Sequence, residues 1–549
     1  MSSESDAAGV VDVVGTGGDA EKSPYVLEAA AVTSPSSATV AHAIELNKEP
    51  PTGKWELISW YGFYFANNSA GTLSYAPLIF QSVLNQAGRN GYDPTQDCSN
   101  SLDPCVVQFG TSTMNIDTVV LTCNGLIFAF NGLLLLLLGP MGDYGRWKRW
   151  ILLGSTLVCW ATQFAFLGLK DGGQYKAAIG IYIVTVLSYN LCQAFWQPSL
   201  PLLARNTPAA RETRQAFMRG ELSEDEYVRH QVLQRNKLSN IAFAAMSIGY
   251  TIVLVIAIGA AYGLHADDST ANNTRAAVII VGIATGFWVV LGSPWFLLEK
   301  KRTQSLPAGQ TYWSVGAKAY WQLLRHAPRL NQTWLYLAGY FLLADGYATT
   351  NQLVGLCQYS IVSYNTIVST KLYIVDGIAN AVGIGLLWAA QRYWRIPTKP
   401  MLMVISGFLL VVPIWGCIGI GTDKFGFHKV WEVWAYNVYD CAAVAPFYAF
   451  SATMLADIIP KGREVTFFSL WALFGKSTSW IGPIISGVII DRTGSTWKAF
   501  PFSLALSVAG IALIVFVDVS KARQQCEEWQ ENDPTIPNKG QTEAVEVIA

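Results

Sequence analysis

Gly139-Pro140-Met141-Gly142-Asp143-Tyr144-Gly145-Arg146-Trp147-Lys148-Arg149 follows directly on the apolar run from Leu126 to Leu138. One aspartate and three cations between two hydrophobic stretches cannot lie in lipid, so this segment is a tight, charged turn at a water interface. The segment, with Gly139, Asp143, Gly145 and Arg146, looks like a hinge latch. The plain alternative is an ordinary basic loop of the kind any polytopic protein carries.

Working outward, composition agrees that the solvent is lipid. Of 549 residues, 52% are hydrophobic and only 14% charged, a balance that a soluble chain of this length would struggle to keep in solution. The net charge of −1 makes no case for a nucleic-acid partner, because the charges are segregated by loop and the total conceals it. A spanning helix needs about 20 mostly apolar residues. Twelve segments meet that need: Trp55–Leu84, Asp117–Leu138, Trp150–Leu169, Tyr175–Trp196, Leu238–Leu264, Ala276–Leu298, Thr333–Ser360, Thr370–Ala390, Pro397–Ile420, Val430–Ala456, Val465–Ile490 and Ala499–Val517. The expected fold is an all-α membrane protein with two six-helix bundles. Residues 54–298 form the first bundle, 299–332 a linker that opens with Lys300-Lys301-Arg302, and 333–518 the second bundle. The basic start of that linker also suits contact with anionic lipid.

Residues 1–53 and 519–549 are read as disordered tails, the first rich in Ser, Ala, Gly, Asp and Glu and without a cleavable signal. An even number of spans puts both tails on one side. Of the 37 Lys and Arg, 21 fall in or beside the loops after the second, fourth, sixth, eighth and tenth spans and nine on the opposite side. The positive-inside rule therefore places both tails and the basic loops in the cytosol. Within that set, residues 205–236 mix Arg, Glu, Asp and Gln and read as a charged surface helix or a solvated linker.

On the other side, Cys98 and Cys105 share an Asp, Asn, Ser and Pro-rich loop, where they either form a disulfide or remain two thiols. Asn272-Asn273-Thr274 is a glycosylation candidate at Asn272 in a short loop. Asn67-Asn68-Ser69 and Asn331-Gln332-Thr333 match the same pattern, but one lies within a span and the other on the cytosolic side.

Polar groups at lipid depth are costly and tend to face a cavity or a partner. The first span carries Tyr64, Asn67, Asn68, Thr72 and Tyr75, with Asn68, Thr72 and Tyr75 on one helical face. The seventh carries Asp345, Tyr347, Asn351 and Gln352, and its length implies a helix that is tilted, bent or locally unwound near Gly346. Asp376 and Asn380 share a face of the eighth, Asn437 and Asp440 lie in the tenth, and Lys476 lies in the eleventh. These are the candidates for lining a substrate path, against the alternative of hydrogen bonds between close-packed helices. Lys476 needs a counter-charge, for which Asp345, Asp376 and Asp440 are available. It either makes a structural pair or binds a substrate carboxylate while an aspartate takes the ammonium group or a proton.

The turn from Gly139 to Arg149 resembles the loop between the second and third helices of major facilitator transporters, where Gly, Asp, Gly and Arg/Lys recur in that order. Gly145 follows Asp143 by two positions where that pattern usually leaves three. The resemblance implies that the Asp and Arg pair with neighbouring helix ends and hold one face shut. Further motifs narrow it: Trp60-Tyr-Gly-Phe-Tyr-Phe-Ala-Asn67, Asn236-Lys-Leu-Ser239 leading to Gly249-Tyr250, Phe474-Gly-Lys-Ser-Thr-Ser-Trp-Ile-Gly-Pro483 and Asp491-Arg-Thr-Gly494. Together they resemble the fungal autophagy-related permease family of the vacuole, from Trp55 to about Val519. What that resemblance implies is efflux of leucine and other neutral amino acids from the vacuole lumen to the cytosol after autophagic protein breakdown. Nothing in the sequence marks an enzyme, a metal site or a cofactor: there is no nucleotide-binding Gly-rich loop, no metal-spaced His/Cys cluster and no nucleophile elbow. A primary pump is therefore disfavoured, and protons or the substrate gradient remain as energy sources. A permease for a sugar, drug or peptide, and an amino-acid sensor that moves nothing, stay open.

Overall fold

The computed structural model describes residues 44, 46–67, 70–90, 98, 105–110, 112–302, 311, 327–361, 366–394, 396–460, 463–477, 481–493 and 495–531. Nearly all of these are helical. The first span comes in three pieces: α1 (Lys54–Ala66), a π-helical turn (Ala70–Tyr75) and α2 (Ala76–Ala87). A three-stranded antiparallel sheet follows, β1 (Arg89–Asn90), β2 (Cys105–Phe109) and β3 (Ser112–Asn115), with Val106 opposite Asn115. Then come α3 (Ile116–Leu138), α4 (Trp147–Ala165), α5 (Tyr175–Trp196), α6 (Ser199–Ala204), α7 (Pro208–Met218), α8 (Glu224–Gly263) and α9 (Thr270–Leu298). The second half comprises α10 (Asn331–Ile361), α11 (Thr366–Trp394), α12 (Thr398–Ile418), α13 (Val430–Asp457), α14 (Glu464–Ser477), α15 (Ile481–Thr493), α16 (Phe500–Val515) and α17 (Val519–Glu531).

Among the described residues, nine helices are long and apolar enough to cross a membrane. They correspond to nine of the twelve expected spans. The remaining three are the first, which is interrupted, the seventh, which carries the run Asp345 to Gln352, and the eleventh, divided between α14 and α15. The spans that fall short of a simple apolar rod are those richest in polar residues.

Each half has an aromatic core. In the first, Phe63 stacks on Trp196 with ring centroids 4.0 Å apart, and Trp196 meets Trp295 edge-on at 5.0 Å, tying α1, α5 and α9 together. In the second, Tyr340 stacks on Trp471 at 4.9 Å, joining α10 to α14. Glycines allow the closest crossings. A methyl on Gly383 would lie 2.0 Å from the Ala442 carbonyl oxygen, so only a bare backbone lets α11 and α13 touch there.

Four expectations need correction. The seventh span is not unwound at Gly346: α10 is continuous, and Gly346 instead lets α16 approach, its missing Cβ lying 2.2 Å from Ser507 Oγ. Residues 205–236 do not form one surface helix. α7 ends at a turn where Gly220 adopts φ +78°, and Ser223 with Glu226 then caps α8, which runs unbroken from the surface into the membrane for 40 residues. The chain from 519 is not wholly a disordered tail, because α17 buries Cys526 and Trp529, and Gln525 donates to Asn331 at 2.8 Å. At the other end, residues 46–53 form a strap rather than a free tail. Thr52 donates to the Leu203 carbonyl at 3.0 Å and Arg211 donates to the Asn47 carbonyl at 3.0 Å.

On the sheet side, Cys98 and Cys105 are joined in a disulfide, seven residues apart. Closing so short a loop constrains the unfolded chain by about 2 kcal/mol. Replacing both by serine is expected to lower the unfolding free energy by about that amount, and an unchanged melting temperature would show that the disulfide does not constrain the chain. The glycosylation candidate is also corrected. Asn272 and Thr274 sit in the first turn of α9, where Thr274 is buried and accepts a hydrogen bond from Gln86 at 2.6 Å, not in the open loop that modification requires.

Candidate transport path and gate

The basic face, which carries the turns after α3, α5 and α9, holds a set of polar ties between the two halves. The turn after α3 is a short 3-10 segment, Pro140–Asp143, and Gly145 takes φ +65°, a conformation that favours glycine. This folds the Asp143 side chain onto the first turn of α14. Asp143 Oδ1 accepts from the Val465 backbone N–H at 2.7 Å, and Oδ2 accepts from the Thr466 N–H at 3.1 Å and its hydroxyl at 2.5 Å. A buried carboxylate thus caps a helix of the opposite half, meeting free N–H donors at the positive end of a helix dipole. Gly139 and Gly142 make the approach possible, since methyls there would lie 2.8 Å from Ser469 and 2.6 Å from Val465.

Arg146 does not share in this capping; it is exposed. The engaged cations nearby are Lys148, which donates to Ser199 at 2.7 Å and pairs with Glu299 at 3.3 Å, and Arg149, which donates to the Phe296 carbonyl. Four further ties cross between the halves, none anticipated from sequence. Arg205 bridges Glu464 of α14 at 2.7 Å and Glu49 of the strap at 2.5 Å. Burial pulls the Arg205 pKa down, but the two carboxylates outweigh it and hold the pKa above the ordinary value, so this guanidinium stays charged. Arg235 pairs with Asp457, which also lies 3.8 Å from Arg523 of α17. Asn236 donates to Thr398 at 3.0 Å, and Ser239 donates to the Ala449 carbonyl at 3.2 Å, which gives two residues of one quoted motif a place at the interface.

Deeper in, the interruption of the first span opens a polar patch. Asn67 ends α1, is buried, and among the described residues meets no donor at Oδ1. One turn on, Thr72 accepts from Gln163 Nε2 at 2.7 Å, and Gln163 Oε1 accepts from Thr285 at 2.7 Å, linking the π-turn to α4 and α9. Single π-turns within helices recur at functional sites. Tyr75 then reaches across the halves, with its hydroxyl 2.6 Å from that of Thr370, while Ser74 and Tyr250 hydroxyls are 2.9 Å apart. Tyr64 is buried in the Trp60–Trp196 cluster and belongs to the core rather than the path.

The second half has its own polar group. Tyr347 donates to Asp440 Oδ2 at 3.0 Å, Asn351 donates to the Tyr347 hydroxyl at 2.8 Å, and Tyr436 donates to Asn351 Oδ1. Asp440 is 4% exposed, and among the described residues its Oδ1 has no hydrogen-bond partner. A carboxylate left half-satisfied at this depth is costly, which suits a group whose second oxygen serves a ligand or a proton. Asp345 is equally buried and faces Gly482, whose missing Cβ would lie 3.0 Å from its Oδ1. Asp376 and Asn380 are half-buried on α11, and Gln352 is exposed on α10. Asn437 turns its amide back onto the Val433 carbonyl at 2.7 Å, satisfying its own helix. Asn68 lies outside the described residues, as does the side chain of Lys476 and with it the question of its counter-charge. Sequence had marked Tyr347, Asn351 and Asp440 separately; what it lacked was Tyr436, whose link to Asn351 needs α10 and α13 side by side.

In arrangement the chain is similar to the major facilitator transporter FucP solved in its outward conformation, with a TM-score of 0.54, 10% identity, and coverage of 84% of this chain and 98% of that one. It is also similar to the human organic anion transporter MFSD10, with a TM-score of 0.52, 14% identity, and coverage of 85% and 100%. The fold is therefore that of the major facilitator transporters. The sequence profile of the family described as "Vacuole effluxer Atg22 like" matches residues 52–527, and the chain belongs to that family. Among relatives, Autophagy-related protein 22 of Candida glabrata is 24% identical over 502 residues, covering 85% of this chain and 91% of its own. Its namesake from Saccharomyces cerevisiae strain S288c is 22% identical over 507 residues, covering 85% and 92%.

Proposed function

We propose that this protein exports neutral amino acids, leucine-like in character, from the vacuole lumen to the cytosol by alternating access, with its basic face toward the cytosol. The observation that carries the reading is the family match across residues 52–527, the whole of the membrane-embedded chain. Supporting it are two polar groups, Thr72–Gln163–Thr285 in one half and Tyr347–Asp440–Asn351 in the other, which offer hydroxyls, amides and a carboxylate suited to a zwitterion. The buried carboxylates allow the flux to be coupled to protons.

The test is efflux from liposomes holding the purified protein and loaded with labelled leucine, tyrosine or arginine, with and without a pH gradient. Saturable loss of leucine or tyrosine in preference to arginine supports the reading. Binding without flux would favour a sensor, and flux of none of the three a different solute. Within the same assay Asp440→Asn keeps an oxygen for the Tyr347 hydroxyl but cannot ionise. Turning a charge-assisted hydrogen bond into a neutral one gives up about half its strength, about 1–1.5 kcal/mol, so efflux should fall up to about tenfold and lose its response to pH. An unchanged pH profile would remove Asp440 as the coupling group.

A further inference from the structure

The basic face also holds a cavity, apart from the two polar groups described above. It has a volume of about 240 Å³ and lies between the turn after α3, the start of α4 and the end of α9. Six cations line it, Arg146, Lys148, Arg149, Lys300, Lys301 and Arg302, against the single carboxylate of Glu299. Two of the six are neutralised in place: Lys148 by Glu299 at 3.3 Å, and Arg302 by Glu56 at 2.7 Å. Among the described residues, the other four have no carboxylate within ion-pair distance. Arg149 and Lys300 spend donors on backbone carbonyls, those of Phe296 and Pro51, which fixes their positions without cancelling their charge.

Four like charges held around one concavity repel each other and are stabilised by a polyanion. The paired cations form a rigid floor beneath them: Lys148 is 4% exposed and also donates to Ser199 at 2.7 Å, so the site is built into the fold rather than draped over it. Its rim shows which polyanion fits. Trp55, Trp150 and Leu297 are 70%, 59% and 83% exposed at the start of α1, the start of α4 and the end of α9, each within two residues in sequence of Glu56, Arg149 or Glu299, and are of the kind that sits at a bilayer interface. A ligand in this cavity has its charged part on the cations and its neighbouring atoms against lipid-facing side chains.

We propose that this cavity binds the headgroup of a polyanionic phospholipid bearing phosphomonoesters, with Arg146, Arg149, Lys300 and Lys301 on the phosphates and the acyl chains along the α9 end. Bound there, the lipid bridges the start of α1, the start of α4 and the turn that carries Asp143, and so anchors the closed gate to the membrane.

The full-length protein in neutral detergent, titrated with dioctanoyl phosphatidylinositol bisphosphate and followed by microscale thermophoresis, tests this. Dioctanoyl phosphatidylcholine and soluble inositol trisphosphate are the parallel arms. The proposal expects saturable binding of the anionic lipid, none of phosphatidylcholine, and at least tenfold weaker binding of the soluble headgroup. Equal affinity for the soluble headgroup would assign the site to a free phosphate compound and overturn the lipid. No saturable binding of either would overturn the site altogether. Arg146 and Lys301 are exposed, so R146Q/K301Q keeps the fold, and at about fivefold for each cation removed it should weaken lipid binding roughly 25-fold. Undiminished affinity in that variant would place the lipid elsewhere.

Discussion

Replacing Asp143 by alanine is expected to cut efflux at least tenfold while the protein still inserts and can be purified. The side chain makes three hydrogen bonds to one helix end, two to backbone N–H groups and one to a hydroxyl, all across the division between the halves. Hydrogen bonds to a charged group contribute about 1.5–3 kcal/mol each, and their removal leaves the Val465 and Thr466 donors buried without partners. Even discounted for non-additivity, a loss of about 3–5 kcal/mol falls on the state closed at the basic face. The balance between closed and open states then shifts by a factor of roughly 10² to 4 × 10³, and a transporter held on one side of its cycle cannot turn over. A cysteine at Ser469, which packs on Gly139 beneath the latch, should label faster with a thiol reagent in the Asp143→Ala background than in the parent. Asp143→Asn, which keeps one oxygen, should fall between the two. If Asp143→Ala transports normally and the cysteine at 469 stays protected, the ties through Arg205 and Arg235 are enough to close this face alone.

Much of this structure could be read from the sequence, and the gaps follow a pattern. Nine apolar stretches announced their helices because hydrophobic length is a local property, written in consecutive residues. The Asp143 turn was legible for the same reason: its glycines, aspartate and cations lie within eleven positions. What it left open was which helix: the resemblance implied that Asp143 and Arg146 each pair with a neighbouring helix end, and Asp143 does so on α14 while Arg146 is exposed. Arg205 with Glu464 and Arg235 with Asp457 were invisible because their partners are 259 and 222 residues away. Glycine misled once. Gly346 beside Asp345 suggested unwinding, yet it serves close packing on α16, and periodicity cannot tell a glycine that frees a backbone from one that admits a neighbour. The break in the first span escaped notice for a related reason. Asn68, Thr72 and Tyr75 read as a stripe on a regular helix, with no proline before Pro77 to signal that the helix ends and resumes.

That break rests on Gly249, and Gly249→Ala is the second large effect expected. A methyl there would lie 1.9 Å from the Phe65 carbonyl oxygen and 2.8 Å from its carbon, both backbone atoms in the last turn of α1. A flexible side chain could swing away, but here relief requires α8 and α1 to separate by about 1.5 Å to reach ordinary contact. Overpacking of this kind costs typically 1–3 kcal/mol and more where backbone must move. The displacement is transmitted directly to the polar patch. Tyr250, the next residue, holds Ser74 at 2.9 Å, and Tyr75 beside it meets Thr370 of the other half at 2.6 Å. The variant should therefore lose efflux by more than tenfold and melt several degrees lower. Gly259→Ala on the same helix is the control. No atom lies within 4 Å of its missing Cβ, so alanine should be tolerated or stabilise the helix by up to about 1 kcal/mol. A Gly249→Ala protein that matches Gly259→Ala in rate and melting would mean that α1 does not need to end where it does, and that the polar patch is a packing accident rather than a path. Loss of efflux in Gly249→Ala alone ties transport to the one place where the first span gives up its helix.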